Sequence, residues 1–202
     1  MNFRSSRLVY RAIEPADDDF LYTALYNDPA VLTNIYPGAL KPLTKDVPVE
    51  IRKTVIETAL IAVMMCIPSS GTSSTTSGGT GSTGSTEDTT SVGIILLKKD
   101  PPNQLHHRRA ELAIALASEH QGRGYGPEAI RWILDWGFRQ GGLHRISLRV
   151  YGANERALRV YRAIGFVQEG RLREAMWRDG RWWDLIDMAI LEDEWVSEGN
   201  LI

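Results

Sequence analysis

The sequence has few of the residues that build disulfide-braced or membrane-inserted proteins. Cys66 is the single cysteine among 202 residues, which excludes an internal disulfide and a cysteine-based zinc site. No apolar run approaches the roughly 20 residues that span a bilayer, and residues 1–11 lack the apolar core of a secretory signal. The formal net charge of -2 predicts no general affinity for nucleic acid or anionic membranes. We therefore expect a cytoplasmic protein, with Cys66 as a buried strand thiol.

The length and composition fit one globular domain over residues 1–202, with one interruption. Residues 69–91 are all Ser, Thr or Gly except Glu87 and Asp88. Such a segment buries too little apolar surface to offset its ordering entropy. The pattern predicts a flexible surface insertion between two strands, and a phosphorylatable regulatory loop is the alternative.

Hydrophobic periodicity divides the remaining chain into strands and helices. The predicted strands are 8–11, 60–67, 92–98, 109–117, 145–151, and a hairpin of 166–177 and 182–191. The predicted helices are one that follows Pro15, then 48–58, 126–140 and 154–163. In strand 109–117, Leu112, Ile114 and Leu116 share one face, while Glu111, Ala113 and Ala115 share the other. This order predicts an α+β fold with a single mixed, mostly antiparallel sheet flanked by helices.

A glycine-rich turn separates strand 109–117 from helix 126–140. Gly122, Gly124 and Gly126 let the backbone bend sharply and bring its N–H groups close to a ligand. The helix N-terminus adds unpaired donors and partial positive charge, so the turn favours a phosphate or pyrophosphate, and Arg123 could add a contact. A plain strand-to-helix turn is the alternative, but it needs only one or two glycines.

Two motifs support a family resemblance. Residues 121–126, Q-G-R-G-Y-G, resemble the Q/R-x-x-G-x-G/A acetyl-CoA motif of the GNAT N-acetyltransferase superfamily. Residues 154–166 are similar to its N-x-x-A-x-x-x-Y-x-x-x-G-F segment. Residues 7–27 and the hairpin around 172–180 resemble the branch that acts on ribosomal-protein N-termini and polyamines. The two motifs occur in the expected order and are specific for the superfamily, but not for a substrate.

The resemblance implies acetyl-CoA as co-substrate and assigns three groups of contacts. Its pyrophosphate would rest on backbone N–H groups of the turn, at Gln121, Gly122, Arg123, Gly124, Tyr125 and Gly126. The pantetheine arm would pair with the strand end at Leu116, Ala117 and Ser118. Asn154 and Ala157 would add contacts from the following helix. Asn154 has the alternative role of a plain helix cap, and one side chain can serve both purposes.

Tyr161 resembles the general acid of the family, which protonates the departing thiolate. It shares a helix face with Asn154. With ordinary pKa values of about 8.5 for a thiol and about 10 for tyrosine, the transfer is uphill by only roughly 2 kcal/mol. The alternative is a core tyrosine with a hydroxyl at the surface.

Glu111 is the candidate general base, acting through water. Its strand face carries the small residues Ala113 and Ala115, which leave room for a ligand. The need for a base depends on the acceptor, because deprotonation at pH 7 costs an alkylamine roughly 4.6 kcal/mol and an α-amine only about 1 to 1.5. The alternative for Glu111 is an ion pair with Arg149 or Arg109.

Other features restrict the function less. The four histidines show no regular ligand spacing, so no metal is expected. Trp177, Trp182 and Trp183 flank the hairpin turn and could pack on the sheet, bury against a partner in a homodimer, or line the acceptor site. The acceptor is left open among a small amine, a polyamine, a protein N-terminus and a drug-like amine. The alternative function is a non-catalytic acyl-CoA sensor or an interaction domain.

Overall fold

The computed structural model describes residues 2–68 and 89–195, which form one seven-stranded sheet. Its strands are β1 (Val9–Arg11), β2 (Ala59–Pro68), β3 (Thr89–Lys99), β4 (Arg109–Leu116), β5 (Arg145–Tyr151), β6 (Val167–Arg178) and β7 (Arg181–Leu191). Their order in the sheet is β1-β2-β3-β4-β5-β7-β6, and every neighbouring pair except β4–β5 is antiparallel. The predicted α+β class and mixed sheet are confirmed.

Helices cover both faces of the sheet. Helix α1 (Asp18–Phe20) continues as a π-helical turn over Leu21–Tyr26, and α2 (Pro29–Ile35) and α3 (Asp46–Thr58) follow it on the same face. Helices α4 (Tyr125–Arg139) and α5 (Glu155–Ile164) pack on the opposite face. No helix among the described residues is long and apolar enough to cross a bilayer.

Strand alternation divides the buried side chains between two cores. On β2, Met65 belongs to the core under α4 and α5, whereas Met64 and Cys66 belong to the core under α1 to α3. The thiol of Cys66 is fully buried, as its apolar surroundings predicted. The sheet is therefore the middle layer of three, and side chains of both cores fix its position.

The parallel pair β4–β5 is joined over only part of its length. Paired positions run from Arg109↔Arg145 to Glu111↔Ser147, yet β4 continues to Leu116 and β5 to Tyr151. Beyond Glu111 the two strands have no ladder between them. A gap therefore opens at their carboxyl ends, where the connections to α4 and α5 also begin.

The predicted insertion at 69–91 extends too far at its carboxyl end. Thr89, Thr90 and Ser91 belong to β3, where they pair with Pro68, Ile67 and Cys66 of β2. Composition misplaced this boundary because Thr and Ser bury little, yet backbone pairing with β2 orders them in a strand. Residues 69–88 lie outside the described part of the chain.

Candidate active site

A cleft with an empty volume of about 800 Å³, including space open to solvent, lies beside the carboxyl end of β4, beyond its last pairing with β5. Its walls are the end of β4, the glycine-rich turn, the first turns of α4 and α5, and α2. Eight of the site residues predicted from the sequence line it: Leu116, Gln121, Gly122, Gly124, Gly126, Asn154, Ala157 and Tyr161. The other predicted residues, Ala117, Ser118, Arg123, Tyr125 and Glu111, do not line it.

The turn has a conformation that requires glycine. Gly122 and Gly124 have φ angles of 82° and 84°, a left-handed region that costs other residues roughly 1–2 kcal/mol. At Gly126 an added Cβ would make only an ordinary contact with Cδ1 of Leu116 at 3.4 Å, so neither backbone conformation nor space requires glycine there. Gly122 and Gly124 therefore set the backbone path beside the cleft.

The same turn presents a row of N–H donors. Within the described residues, no backbone carbonyl accepts from the N–H groups of residues 122–126. Helix α4 starts immediately after Gly124 and adds the positive end of its dipole. Unpaired donors and this dipole suit an anionic group, so the residues present fit the predicted pyrophosphate.

An N-terminal segment holds this turn from behind. The Glu128 carboxylate on α4 accepts from Ser5 Oγ (2.7 Å), the backbone N–H of Arg7 (2.7 Å) and Nε of Arg7 (2.8 Å). Burial by itself would raise the pKa of Glu128, but these donors outweigh it and lower the pKa. Arg7 also donates to the carbonyl of Arg123 at 2.8 Å. Residues 5–7 thus fix the turn against α4.

The end of β4 offers backbone groups to the cleft. The Ala117 N–H donates to the Val92 carbonyl at 3.0 Å, so it faces β3. Because backbone groups alternate along a strand, those of Ile114 and Leu116 face the gap. Gln121 Nε2 already donates to the Leu116 carbonyl at 3.1 Å. Ile114, which the sequence did not single out, therefore offers more backbone to a ligand than Ala117 does.

Asn154 is both a helix cap and a bridge across the cleft. Its Oδ1 accepts from the Ala157 N–H at 3.0 Å, which caps α5. Its Nδ2 donates to Oδ1 of Asn34 on α2 at 2.9 Å. Helix α2 was not predicted, although Asp28 and Pro29 are typical of a helix start, and Asp28 Oδ1 accepts from Ala30 N–H at 2.9 Å.

Tyr161 lies on the α5 wall of the cleft, partly buried, with its ring edge-on to Phe166 at 5.7 Å between centroids. Burial raises the pKa of Tyr161 to about 12. The transfer of its proton to a thiolate is then uphill by about 5 kcal/mol, more than an ordinary tyrosine would need. The phenol consequently stays protonated at neutral pH and is a weaker acid than the sequence suggested.

Glu111 lies on the face of β4 opposite Leu112, apart from the cleft, in a surface depression shared with Ser147, Arg149 and Asp187. Arg149 is bonded to Asp187 (2.6 and 3.2 Å), and Arg109 to Asp100 (2.5 Å). Both arginines proposed as ion-pair partners of Glu111 thus have other carboxylate partners.

The tryptophans lie away from the cleft. Trp177 and Trp182 form an exposed cross-strand pair with centroids 5.2 Å apart, and Arg181 covers the ring of Trp183. Within the described ranges, no three His, Cys, Asp or Glu side chains come close enough together to hold a metal ion.

Comparison with known proteins agrees with this geometry. The acetyltransferase (GNAT) domain model matches residues 7–167, most of the chain. The chain belongs to the GNAT acetyltransferase family. Its GNAT fold is shared by the crystal structure of spermidine N-acetyltransferase from Vibrio cholerae in complex with CoA and spermine. That structure is 27% identical with a TM-score of 0.71, and the match covers 94% of this chain and 98% of that one.

Two curated GNAT relatives match over shorter stretches. Spermidine N(1)-acetyltransferase of Vibrio cholerae is 40% identical over 94 residues, 46% of this chain and 54% of that protein. A putative ribosomal N-acetyltransferase of Bacillus subtilis is 30% identical over 92 residues, covering 46% and 50%. The chain spans about half the length of the curated relatives it matches.

Proposed function

We propose that this chain is an N-acetyltransferase that moves an acetyl group from acetyl-CoA directly to an amine. The supporting observation is the row of N–H groups over residues 122–126 that have no backbone acceptor, in a turn whose three glycines line the cleft beside the N-terminus of α4. Such donors favour a diphosphate, and membership of the GNAT family favours coenzyme A as its carrier.

In the proposed reaction, the neutral amine attacks the thioester carbonyl carbon, a C–N bond forms and the C–S bond breaks. Backbone N–H groups at the end of β4 stabilise the oxyanion, and Tyr161 gives its proton to the departing sulfur. The nitrogen loses a proton to water or to a base. No covalent enzyme intermediate is needed, and no serine, threonine or cysteine lines the cleft within the described residues.

The acceptor is the less defined half of the reaction. Relatives named for spermidine and for ribosomal acetylation favour a polyamine or a protein N-terminus. An α-amine of pKa near 8 needs little help to become neutral, whereas a polyamine gains much more from a base. The proposed base is Glu111, which lies in a depression separate from the cleft and would therefore act on the acceptor through water and not by direct contact.

Calorimetry with CoA and thiol release with an amine panel test the proposal together. We expect saturable CoA binding and release of free thiol from acetyl-CoA only when an acceptor amine is present. No binding at millimolar CoA would contradict the whole proposal. Binding without thiol release for any amine would instead identify an acyl-CoA sensor.

A further inference from the structure

Arg156 is the one charged side chain among the described residues that line the cleft. It lies in the first turn of α5, two residues after the Asn154 cap. A Cβ placed on Gly122 would be only 3.3 Å from Nη2 of Arg156, so the guanidinium rests against the glycine-rich turn. The sequence did not single out this residue, because only the fold brings α5 next to the turn.

Arg156 has no protein acceptor among the described residues, which it shares with Arg123 but not with Arg7, Arg159 or Arg162. Arg159 lies 3.6 Å from Glu155, Arg162 donates to Gln168 at 3.3 Å, and Arg7 is bound by Glu128. Within the part of the chain that the structure describes, no hydrogen bond or ion pair involves the Arg156 guanidinium. A cation beside Gly122, at one end of the row of unpaired N–H donors and with no carboxylate in the cleft, has a strong preference for an anion.

The helix ends around Arg156 add to this preference. Both α4 and α5 begin at the cleft, after Gly124 and Asn154 respectively. Two positive dipole ends therefore point to the same space, one from each side. By contrast, Arg123 belongs to the turn itself but its side chain does not line the cleft.

We infer that Arg156 binds the pyrophosphate of the CoA co-substrate and, with the backbone donors of residues 122–126, completes its site. This inference rests on the proposed function. Arg156 supplies paired N–H donors and charge from the α5 side, opposite the backbone donors of the turn.

Calorimetric titration of the full chain with CoA and with 3′-dephospho-CoA tests the inference. The variants are Arg156→Gln, Arg156→Lys and the control Arg162→Gln, which removes the same charge from the same helix but away from the cleft. Because a charge-assisted hydrogen bond contributes about 1.5–3 kcal/mol, Arg156→Gln should lower the affinity for both ligands at least about tenfold. Arg156→Lys should restore part of the loss, and Arg162→Gln should bind like the wild type.

Each outcome separates the inference from the proposed function. Equal affinity of the wild type and Arg156→Gln for CoA, or an equal loss in Arg162→Gln, overturns the role of Arg156 and leaves CoA binding established. A loss for CoA that disappears with 3′-dephospho-CoA moves the contact to the 3′-phosphate and overturns the pyrophosphate assignment. A wild-type chain that binds neither ligand removes the proposed function as well.

Discussion

Tyr161 illustrates how the surroundings of one side chain alter its chemistry. Its position on the cleft wall suits a proton donor to the leaving sulfur, while burial raises its pKa to about 12. The proton is thus available at any ordinary assay pH, but its donation costs more than it would from an exposed tyrosine. The hydroxyl is therefore useful only if the thiolate forms directly beside it.

Replacement Tyr161→Phe should slow thiol release about 10²-fold without weakening CoA binding, since general acids typically contribute 10²- to 10⁴-fold. Stopped-flow thiol detection and calorimetry measure the two effects separately. Tyr26→Phe is the control, because Tyr26 is also buried and its pKa is also raised to about 12, but it lies in the core under α1 to α3. Equal rates for wild type and Tyr161→Phe would make Tyr161 a structural residue.

A second prediction for a single residue concerns Glu111. If it is the base, Glu111→Gln should lower kcat/KM for an alkylamine by at least about tenfold more than for an α-amine of pKa near 8. Steady-state assays with one acceptor of each kind measure the ratio. Glu57→Gln, which removes an exposed carboxylate from α3, is the control for the same change in net charge. An equal effect on both acceptors would assign Glu111 a structural role.

Among the helices and strands, the sequence predicted those features that depend on local patterns of hydrophobic, capping and turn residues. The amphipathic α4, the Asn154 cap, Gly165 after α5 and the Asp179-Gly180 hairpin all lie where periodicity and turn chemistry placed them. The helix predicted after Pro15 is present, although its π-helical turn over Leu21–Tyr26 was not expected. The seven-residue α2 was missed, because its order comes from packing rather than from a long periodic pattern. The Asn34–Asn154 and Arg156–Gly122 contacts join distant segments, which periodicity cannot reveal.

The glycine-rich turn permits a matched comparison. Gly124 and Gly142 both have positive φ (84° and 62°), but a Cβ would lie 3.0 Å from Arg7 Nη2 at Gly124 and would meet nothing within 4 Å at Gly142. Both alanine variants should lose roughly 1–2 kcal/mol of unfolding free energy from backbone strain. Gly124→Ala alone should also weaken CoA binding several-fold, as calorimetry would show. Unchanged affinity in Gly124→Ala would indicate that the turn does not approach the ligand.

Arg178 attaches the β6–β7 hairpin to the end of α2. This buried guanidinium donates to the carbonyls of Thr33, Tyr36 (2.7 Å) and Gly38 (3.2 Å). Arg178→Met leaves those carbonyls without their donor, so urea denaturation should show a loss of about 3 kcal/mol. Arg181→Gln, on the same hairpin but exposed, should stay within about 1 kcal/mol of wild type. Similar losses in both variants would contradict this account.

Across the whole molecule, both cores contain buried tyrosines. Tyr10 stacks on Trp132 at 3.7 Å between centroids in one core, and Tyr26 lies in the other. Burial raises the pKa of Tyr10 and Tyr26 above the ordinary value, as it does for Tyr161. Each side of the sheet therefore contains a group that resists ionisation only while the chain is folded.

The buried tyrosines predict that the free energy of unfolding falls as the pH becomes alkaline. Because the folded pKa values exceed the unfolded value of about 10, the stabilisation is complete below pH 10 and is lost as pH rises towards 12. In this range each tyrosine should lower the free energy of unfolding by about 1.4 kcal/mol per pH unit. Tyr10, Tyr26 and Tyr161 together should therefore lower it by roughly 4 kcal/mol per pH unit. Urea unfolding at pH 9.5, 10.5 and 11.5 measures the slope. Tyr26→Phe should reduce this slope by about a third, and an unaltered slope in the variant would contradict the raised pKa of Tyr26.

Pro68 of β2 and Thr89 of β3 are paired across the sheet, and this pairing determines what kind of domain can be inserted between them. The two residues lie at the same end of the sheet as Gly93, which is paired with Leu116 at the cleft. A recognition module inserted between them would tether its captured protein near the proposed site of acetyl transfer. Such a tether gives a millimolar effective concentration, so an acceptor that is bound only weakly by itself would be modified preferentially.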